Sequence, residues 1–186
     1  MKDRDDDLKE EVNSVYITEP IQSSNHALIF TFSLEKGTDA MNVAAIVQMV
    51  VEAIESHDIQ TLNTLVADDF DFPLPGGIAR LRKNDFIGLM GTLVQALPDF
   101  TFNVRQVEVQ GDKVRVTTRW TGTQQGPLTL PGLSPFPPTG RSIALPETID
   151  EYTVRDDKLA ALWIEDVPGG GVPGLLAQLG VISPKR

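Results

Sequence analysis

The segment Ser142–Val154, the turn Arg155-Asp156-Asp157-Lys158 and the segment Leu159–Asp166 constrain this chain most. Two stretches rich in apolar, aromatic and β-branched residues flank a short polar turn, which predicts an antiparallel hairpin. Glu147, Asp150, Glu151, Glu165 and Asp166 lie in or beside those strands. A carboxylate on the inner face of a sheet is costly unless it is paired, hydrogen-bonded or protonated. Such groups are candidate acids and bases.

The upstream half has helical periodicity. Val43, Ile46, Val47, Val50, Val51 and Ile54 recur at helical spacing after a capping residue at Thr38 or Asp39. His57-Asp58 ends that helix, and Ile59–Val66 predicts a second, short one. Asp68–Pro73 leads into a Pro/Gly loop that ends at Gly76-Gly77. A third helix begins near Asn84 or Asp85, carries Phe86, Leu89, Met90, Leu93 and Leu97, and stops at Pro98-Asp99. Strands are expected over Phe100–Gln110 and Lys113–Thr123, ahead of the hairpin described above.

Helices followed by antiparallel strands predict an α+β fold, with three helices packed on one face of a curved sheet. Such a sheet, closed by helices, makes a cone with a pocket inside. The loop Gly126–Arg141 holds five prolines together with Leu128, Leu130, Leu133 and Phe136. A loop of that length is commonly functional, and its apolar residues fit a lid over the pocket. Gly169-Gly170-Gly171 reads as a hinge before a closing helix. Residues 1–38 read as an acidic extension, poorly ordered or forming a peripheral strand, and residues 39–182 as the domain.

Composition removes several chemistries. The chain has no cysteine, so thiol nucleophiles, disulfides and thiolate zinc sites are excluded. With His26 and His57 as its two histidines, it has little for a histidine metal site or histidine catalysis. Carboxylates, Tyr, Arg, Lys or water must carry any reaction, so neither a metal nor an organic cofactor is expected. The formal net charge of −10 argues against nucleic acid or an anionic membrane as partner. Half of that charge falls in residues 1–40, which carry a net −5. No apolar run reaches the ~20 residues a membrane helix needs. The start Met1–Asp7 lacks the cationic and apolar regions of a signal peptide, so a cytoplasmic protein is expected.

Strand parity limits which residues can share a pocket. Within Ser142–Val154, Thr148, Asp150, Tyr152 and Val154 share one face. Ile143, Leu145, Glu147, Ile149, Glu151 and Thr153 share the other. One placement puts Asp150 inside beside Tyr152, with a pKa raised by desolvation. The other puts Ile149 inside and leaves Asp150 an exposed or interface charge. In the next strand, Trp163 and Glu165 share a face. They either pair a stacking surface with a carboxylate, or Trp163 is core and Glu165 forms a salt bridge. Arg119 points away from Trp120, either into an ion pair with Glu108 or Glu147 or towards a developing oxyanion.

Several motifs, in order, carry a family resemblance. They are Asp58 with Leu62, Asp68-Asp69-Phe70, Leu97-Pro98-Asp99-Phe100, Gly111-Asp112-Lys113-Val114 and Arg119-Trp120-Thr121-Gly122-Thr123. Pro138-Thr139-Gly140-Arg141 and the closing Leu176–Val181 complete the set. From about Met41 to Val181 the chain resembles the SnoaL-like polyketide cyclases. That family shares its cone with nuclear transport factor two, ketosteroid isomerase and limonene epoxide hydrolase. The resemblance implies an aspartate acid/base at Asp150 and a homodimer paired through the sheets. Gln124 stands where family members often carry a histidine; it can hydrogen-bond a substrate oxygen but cannot titrate. The expected function is acid/base chemistry on a hydrophobic carbonyl or hydroxyl compound such as a polyketide: aldol cyclisation, isomerisation or dehydration. Asp150 and Tyr152 are the expected catalytic pair. Gln124, Trp163, Glu165, Arg119 and the loop residue Phe136 are expected against the substrate. The competing expectation is a ligand-binding or adaptor module without catalysis.

Overall fold

The computed structural model describes residues 38–77, 79–130 and 134–181. The expectations for the acidic N-terminal extension, and for Leu133 in the Pro-rich loop, fall outside these residues.

Helix α1 (Thr38–Glu55) buries Val47, Val50, Val51 and Ile54. His57 adopts a left-handed φ of 63° and turns the chain. Asp58 then caps α2 (Ile59–Leu65), its carboxylate accepting the Thr61 N–H at 2.9 Å. Helix α3 (Lys83–Ala96) buries Phe86, Leu89, Met90, Leu93 and Val94. The closing helix α4 spans Gly171–Gln178.

Among the described residues there are eight strands: β1 (Val66–Pro73), β2 (Arg80–Leu81), β3 (Gln106–Gln110), β4 (Lys113–Thr118), β5 (Thr121–Thr123), β6 (Ser142–Ala144), β7 (Thr148–Arg155) and β8 (Lys158–Ile164). Six of them form one sheet in the order β2-β1-β8-β7-β4-β3, and β5 pairs with β6. The architecture is the expected α+β cone, with one difference. The sheet is mixed, because β1 runs parallel to β8. Residues 66–73, expected as a helix end and a lead into a loop, are this strand. Asp68 and Asp69 are both exposed where the pairing to β8 shifts register between Val66 and Asp71, and strand alternation holds from Asp69 to Phe72, with Phe70 and Phe72 facing the core. Phe70 and Phe72 pack on Phe86 of α3, with ring centroids 4.9 and 6.1 Å apart.

Three of the expected strands are broken; one of them, Lys113–Thr123, divides into β4 in the large sheet and β5 paired with β6. Phe100–Gln110 yields a regular strand only from Gln106, because Asn103 takes a φ of 45° and leaves the ladder. Its Nδ2 instead donates to the Arg119 carbonyl and to Thr121 Oγ1, both at 2.8 Å. Ser142–Val154 divides into β6 and β7 around Pro146, which has no N–H to give a ladder. The break resets the parity: Ile143 and Leu145 are buried on the same side as Thr148, Asp150, Tyr152 and Val154, not opposite them. The β7–β8 hairpin turns at Asp156 and Asp157, both left-handed (φ 52° and 56°), as a type I′ turn requires.

Helix α4 lies tight against the chain that precedes it. A Cβ on Gly174 would sit 1.9 Å from the carbonyl oxygen of Gly169, so glycine is required there. At its other end, the Gln178 amide accepts the Ala144 N–H at 2.8 Å and donates to the Ala144 carbonyl at 3.0 Å. It caps the edge of β6 as a neighbouring strand would.

Candidate functional site

Strands β4 and β7 place the candidate site. Their register pairs Val116 with Asp150 and Thr118 with Thr148. The inward row of β7 is therefore Thr148, Asp150, Tyr152 and Val154, and that of β4 is Val114, Val116 and Thr118. Asp150 is fully buried. Its Oδ2 accepts the Thr118 hydroxyl at 2.9 Å and its Oδ1 the Thr148 hydroxyl at 3.0 Å. Burial pushes its pKa up to about 6, against the opposing pull of the two threonine hydroxyls and the side chain of Trp120. The result is a carboxyl poised near neutrality, where a proton can be both held and released.

Two residues beyond Thr118, after the strand ends, Trp120 continues the inward row. Its ring is held edge-on against Phe100 and Phe102, with both centroid distances 5.5 Å. The buried indole Nε1 is turned towards Asp150, and its N–H favours the ionised form of that carboxyl.

These residues form the floor of an almost wholly apolar cavity of about 60 Å³, room for a few water molecules. Phe72 and Ile164 line it from the sheet, and Met90 and Leu93 from α3. Leu130 closes it from the Pro-rich loop and Leu175 from α4. Thr148 and Trp120 lie in the lining, and Asp150 sits directly behind them. Thr148, whose hydroxyl donates to Asp150, therefore stands between the buried carboxyl and the cavity.

The other residues singled out from the sequence occupy different places. Tyr152 is buried one step further along β7, outside the cavity lining. Burial pushes its phenol well above its ordinary pKa, with Asp150 and Glu55 adding to the effect, so it stays neutral. Gln124 is fully buried but turned to the Pro-rich loop. Its Nε2 donates to the Gly126 and Pro137 carbonyls, each at 3.2 Å, and its Oε1 accepts the Thr139 hydroxyl at 2.7 Å and the Thr139 N–H at 3.2 Å. All four polar sites of its amide are occupied in holding the loop. Phe136 is half-buried and bridges to Leu128, which is fully buried. Trp163 lies opposite Glu151 on the outer face of the sheet and is 46% exposed. Glu165 is half-buried on the same strand parity. Arg119 is exposed; the cation that pairs with Glu147 is Arg105, at 3.2 Å.

A wider cleft of about 640 Å³ opens between α1 and the turn 98–101, lined by Glu52, Glu55 and Asp99. Two of its carboxylates already serve the fold. Glu55 accepts the Phe102 N–H at 2.7 Å, and Asp99 accepts the Thr123 N–H at 2.6 Å. The smaller cavity is therefore the candidate site, because it joins an apolar wall to a buried, shifted carboxyl. Among the described residues no cluster of three or more His, Asp or Glu could hold a metal ion, and no helix is long and apolar enough to cross a membrane.

Sequence reasoning did not bring Trp120 to Asp150; the available signal was strand parity, which puts Trp120 on the same side as Val116 and Thr118.

Comparison with known proteins gives the same fold. AclR of Streptomyces galilaeus, a candidate hydroxylase, superposes with a TM-score of 0.61 at 20% identity, covering 79% of this chain and 86% of its own. IdmH of Streptomyces antibioticus, a candidate polyketide cyclase, gives 0.57 at 25% identity, covering 74% and 98%. An epoxide hydrolase of M. tuberculosis resembling limonene epoxide hydrolase gives 0.54 at 14% identity, covering 77% and 98%. No curated protein matches the sequence. The model of the SnoaL-like polyketide cyclases matches residues 44–166, most of the described chain. This chain belongs to the SnoaL-like polyketide cyclase family.

Proposed function

We propose that this protein is an enzyme that moves a proton on a hydrophobic carbonyl or hydroxyl compound, with Asp150 as the acid/base. One observation carries this reading: a fully buried carboxyl of raised pKa, about 6, stands behind the polar floor of an apolar cavity. A carboxyl with that pKa is largely ionised at pH 7 and can act as a base; the proton it takes is then available to a leaving or attacking oxygen. Aldol cyclisation, isomerisation and dehydration all use this step. The match to IdmH, a candidate polyketide cyclase, favours a polyketide-like substrate. The reading needs neither a metal nor an organic cofactor. Tyr152, close enough to Asp150 to feel its charge, helps set the field around it. Gln124 acts indirectly, by holding the loop that supplies Leu130 to the cavity wall. We also propose a cytoplasmic homodimer paired through the outer sheet face around Trp163.

The test is thermal shift of wild type and Asp150→Asn against polycyclic phenols, steroids and terpenoids, followed by turnover of any binder. Binding to both proteins with turnover only by wild type supports the enzyme. Binding without turnover by either supports the ligand-carrier reading. No binding at all removes the small-molecule reading.

A further inference from the structure

Asp150 can reach the cavity only through another residue. The carboxyl is fully buried and does not line the cavity; Thr118, Thr148 and the Trp120 indole surround it. A proton moving between Asp150 and a ligand must cross one of these three. Trp120 cannot carry it, because an indole N–H donates and has no lone pair with which to accept. Thr118 has a hydroxyl but is fully buried and lies outside the lining. Thr148 meets both requirements. Its hydroxyl can donate and accept at once, and it gives its proton to Asp150 Oδ1 at 3.0 Å. Among the described residues it is also the one in the lining with a side-chain oxygen.

We propose that Thr148 Oγ1 touches the substrate and passes protons between it and Asp150, and that the substrate presents a hydroxyl there, as a neutral enol or phenol. This rests on the acid/base reading of Asp150 and adds to it the group in contact with substrate and the class of that substrate. When Asp150 is ionised, Thr148 has given its one proton away, so its oxygen offers the cavity lone pairs and no donor. The neighbouring hydroxyl of Thr118, 3.4 Å away, also gives its proton to Asp150, at 2.9 Å. An oxygen in that state matches an O–H group and leaves a carbonyl oxygen unpaired. Among the described residues the lining has no Lys, Arg or His to pair an anion, so the hydroxyl arrives neutral. In the step itself, the enol O–H bond breaks and its proton goes to Thr148 Oγ1, while the Thr148 proton goes to Asp150 Oδ1. The O–H electron pair becomes the π bond of the carbonyl, and the C=C pair forms a new bond at carbon. In an isomerisation that bond is to a proton, which Asp150 returns along the same path. In an aldol closure it is to a second carbonyl carbon of the same molecule, whose oxygen takes the proton back through Thr148. Either way Asp150 ends ionised, and no oxidant or co-reactant is consumed.

1-Naphthol tests the relay, because light makes its hydroxyl strongly acidic. Bound beside a proton acceptor it emits as naphtholate; bound without one it emits as neutral naphthol. The protein is kept in excess at about pH 8, where Asp150 is ionised. Wild type and Thr148→Ser should then give naphtholate emission, and Thr148→Val and Asp150→Asn neutral emission. Thr118→Val also takes a donor from Asp150 but lies outside the lining, so it should keep the naphtholate band; a merely tuning role for Thr148 would make the two valine variants alike. 1-Naphthol should bind about tenfold more tightly than 1-tetralone, which has the same fused-ring outline and no hydroxyl proton, the worth of one hydrogen bond. Thr148→Val should erase that preference. Neutral emission from bound wild type overturns the relay. Naphtholate emission from Thr148→Val that Asp150→Asn lacks also overturns it, while keeping Asp150 as the base. Naphtholate emission from Asp150→Asn removes the acid/base reading itself. Equal affinity for the two probes, or binding of neither, overturns the hydroxyl class.

Discussion

Thr118 on β4 gives its hydroxyl proton to Asp150 on β7, 2.9 Å away across the centre of the sheet. That bond holds the carboxyl in one orientation and stabilises its ionised form against burial. Thr118→Val keeps the side-chain shape and removes the donor. The Asp150 pKa should rise beyond about 6, carrying the acidic limb of any pH–rate profile upward with it. A carboxyl ¹³C titration of wild type and variant checks the direction; an unchanged or lower pKa would show that this bond does not tune the group.

The same shift fixes how stability depends on pH. Below pH 3.8 the Asp150 carboxyl is protonated in both folded and unfolded chains and contributes no penalty. From 3.8 to about 6 the unfolded chain ionises while the folded one keeps its proton, so stability falls as pH rises. Above that range the penalty is constant, on the order of 3 kcal/mol. Asp150→Asn removes the titration. Its stability relative to wild type should grow by this amount between about pH 4 and 7 and then level off. Urea unfolding across that range measures it, and a difference independent of pH would contradict the raised pKa.

The sequence carried the site's central element because β7 obeys strand alternation over Thr148–Val154, which left two placements of Asp150 open; the burial of alternate residues decides for the inward one. Parity failed where the backbone left the ladder. Pro146 reset the faces between Leu145 and Thr148, and Asn103 used its side chain to end a strand that its neighbours would have continued. Strand β1 was hidden by its charge: Asp68, Asp69 and Asp71 look like loop residues until Phe70 and Phe72 are seen to alternate with Asp69 and Asp71. The role of Gln124 could not be read from local pattern at all. Its partners, Gly126, Pro137 and Thr139, are brought together only by the course of the Pro-rich loop.

That clamp makes a separate prediction. Gln124→Ala leaves the Gly126 and Pro137 carbonyls and the Thr139 N–H without their partner. A cost of about 1–3 kcal/mol is expected for each such group that stays buried. The variant should melt earlier and exchange amide hydrogens faster at Thr139. Wild-type protection at Thr139 would show that the loop is held by its apolar residues alone.

The proposed homodimer turns on Trp163, 46% exposed on a sheet face that also carries Glu151 and the half-buried Ile149. A buried charge at a dimer centre is costly, so Trp163→Glu should yield monomers with an unchanged far-ultraviolet spectrum. Light scattering on wild type and variant decides it. A monomeric wild type would remove the dimer, and a dimeric variant would move the interface elsewhere.

The size of the cavity makes the last prediction. About 60 Å³ cannot admit a bicyclic ketone unless part of the wall moves. Helix α4 is the part best built to do so. It hangs from Gly169 and Gly171, both in left-handed conformations, and supplies Val172 and Leu175 to the lining. The two Gln178–Ala144 bonds hold its far end to β6. Gln178→Ala should free that end, raising amide exchange over 171–178 and speeding ligand entry severalfold, at a stability cost of about 1–2 kcal/mol. Gly174→Ala, whose Cβ would meet the Gly169 carbonyl oxygen at 1.9 Å, should push the helix off its seat altogether and weaken ligand binding. Stopped-flow quenching of Trp120 by 1-naphthol in a Trp163→Phe background separates the two effects. Faster entry in Gln178→Ala marks α4 as the door, whereas an unchanged rate leaves the Pro-rich loop at Leu130 to open instead.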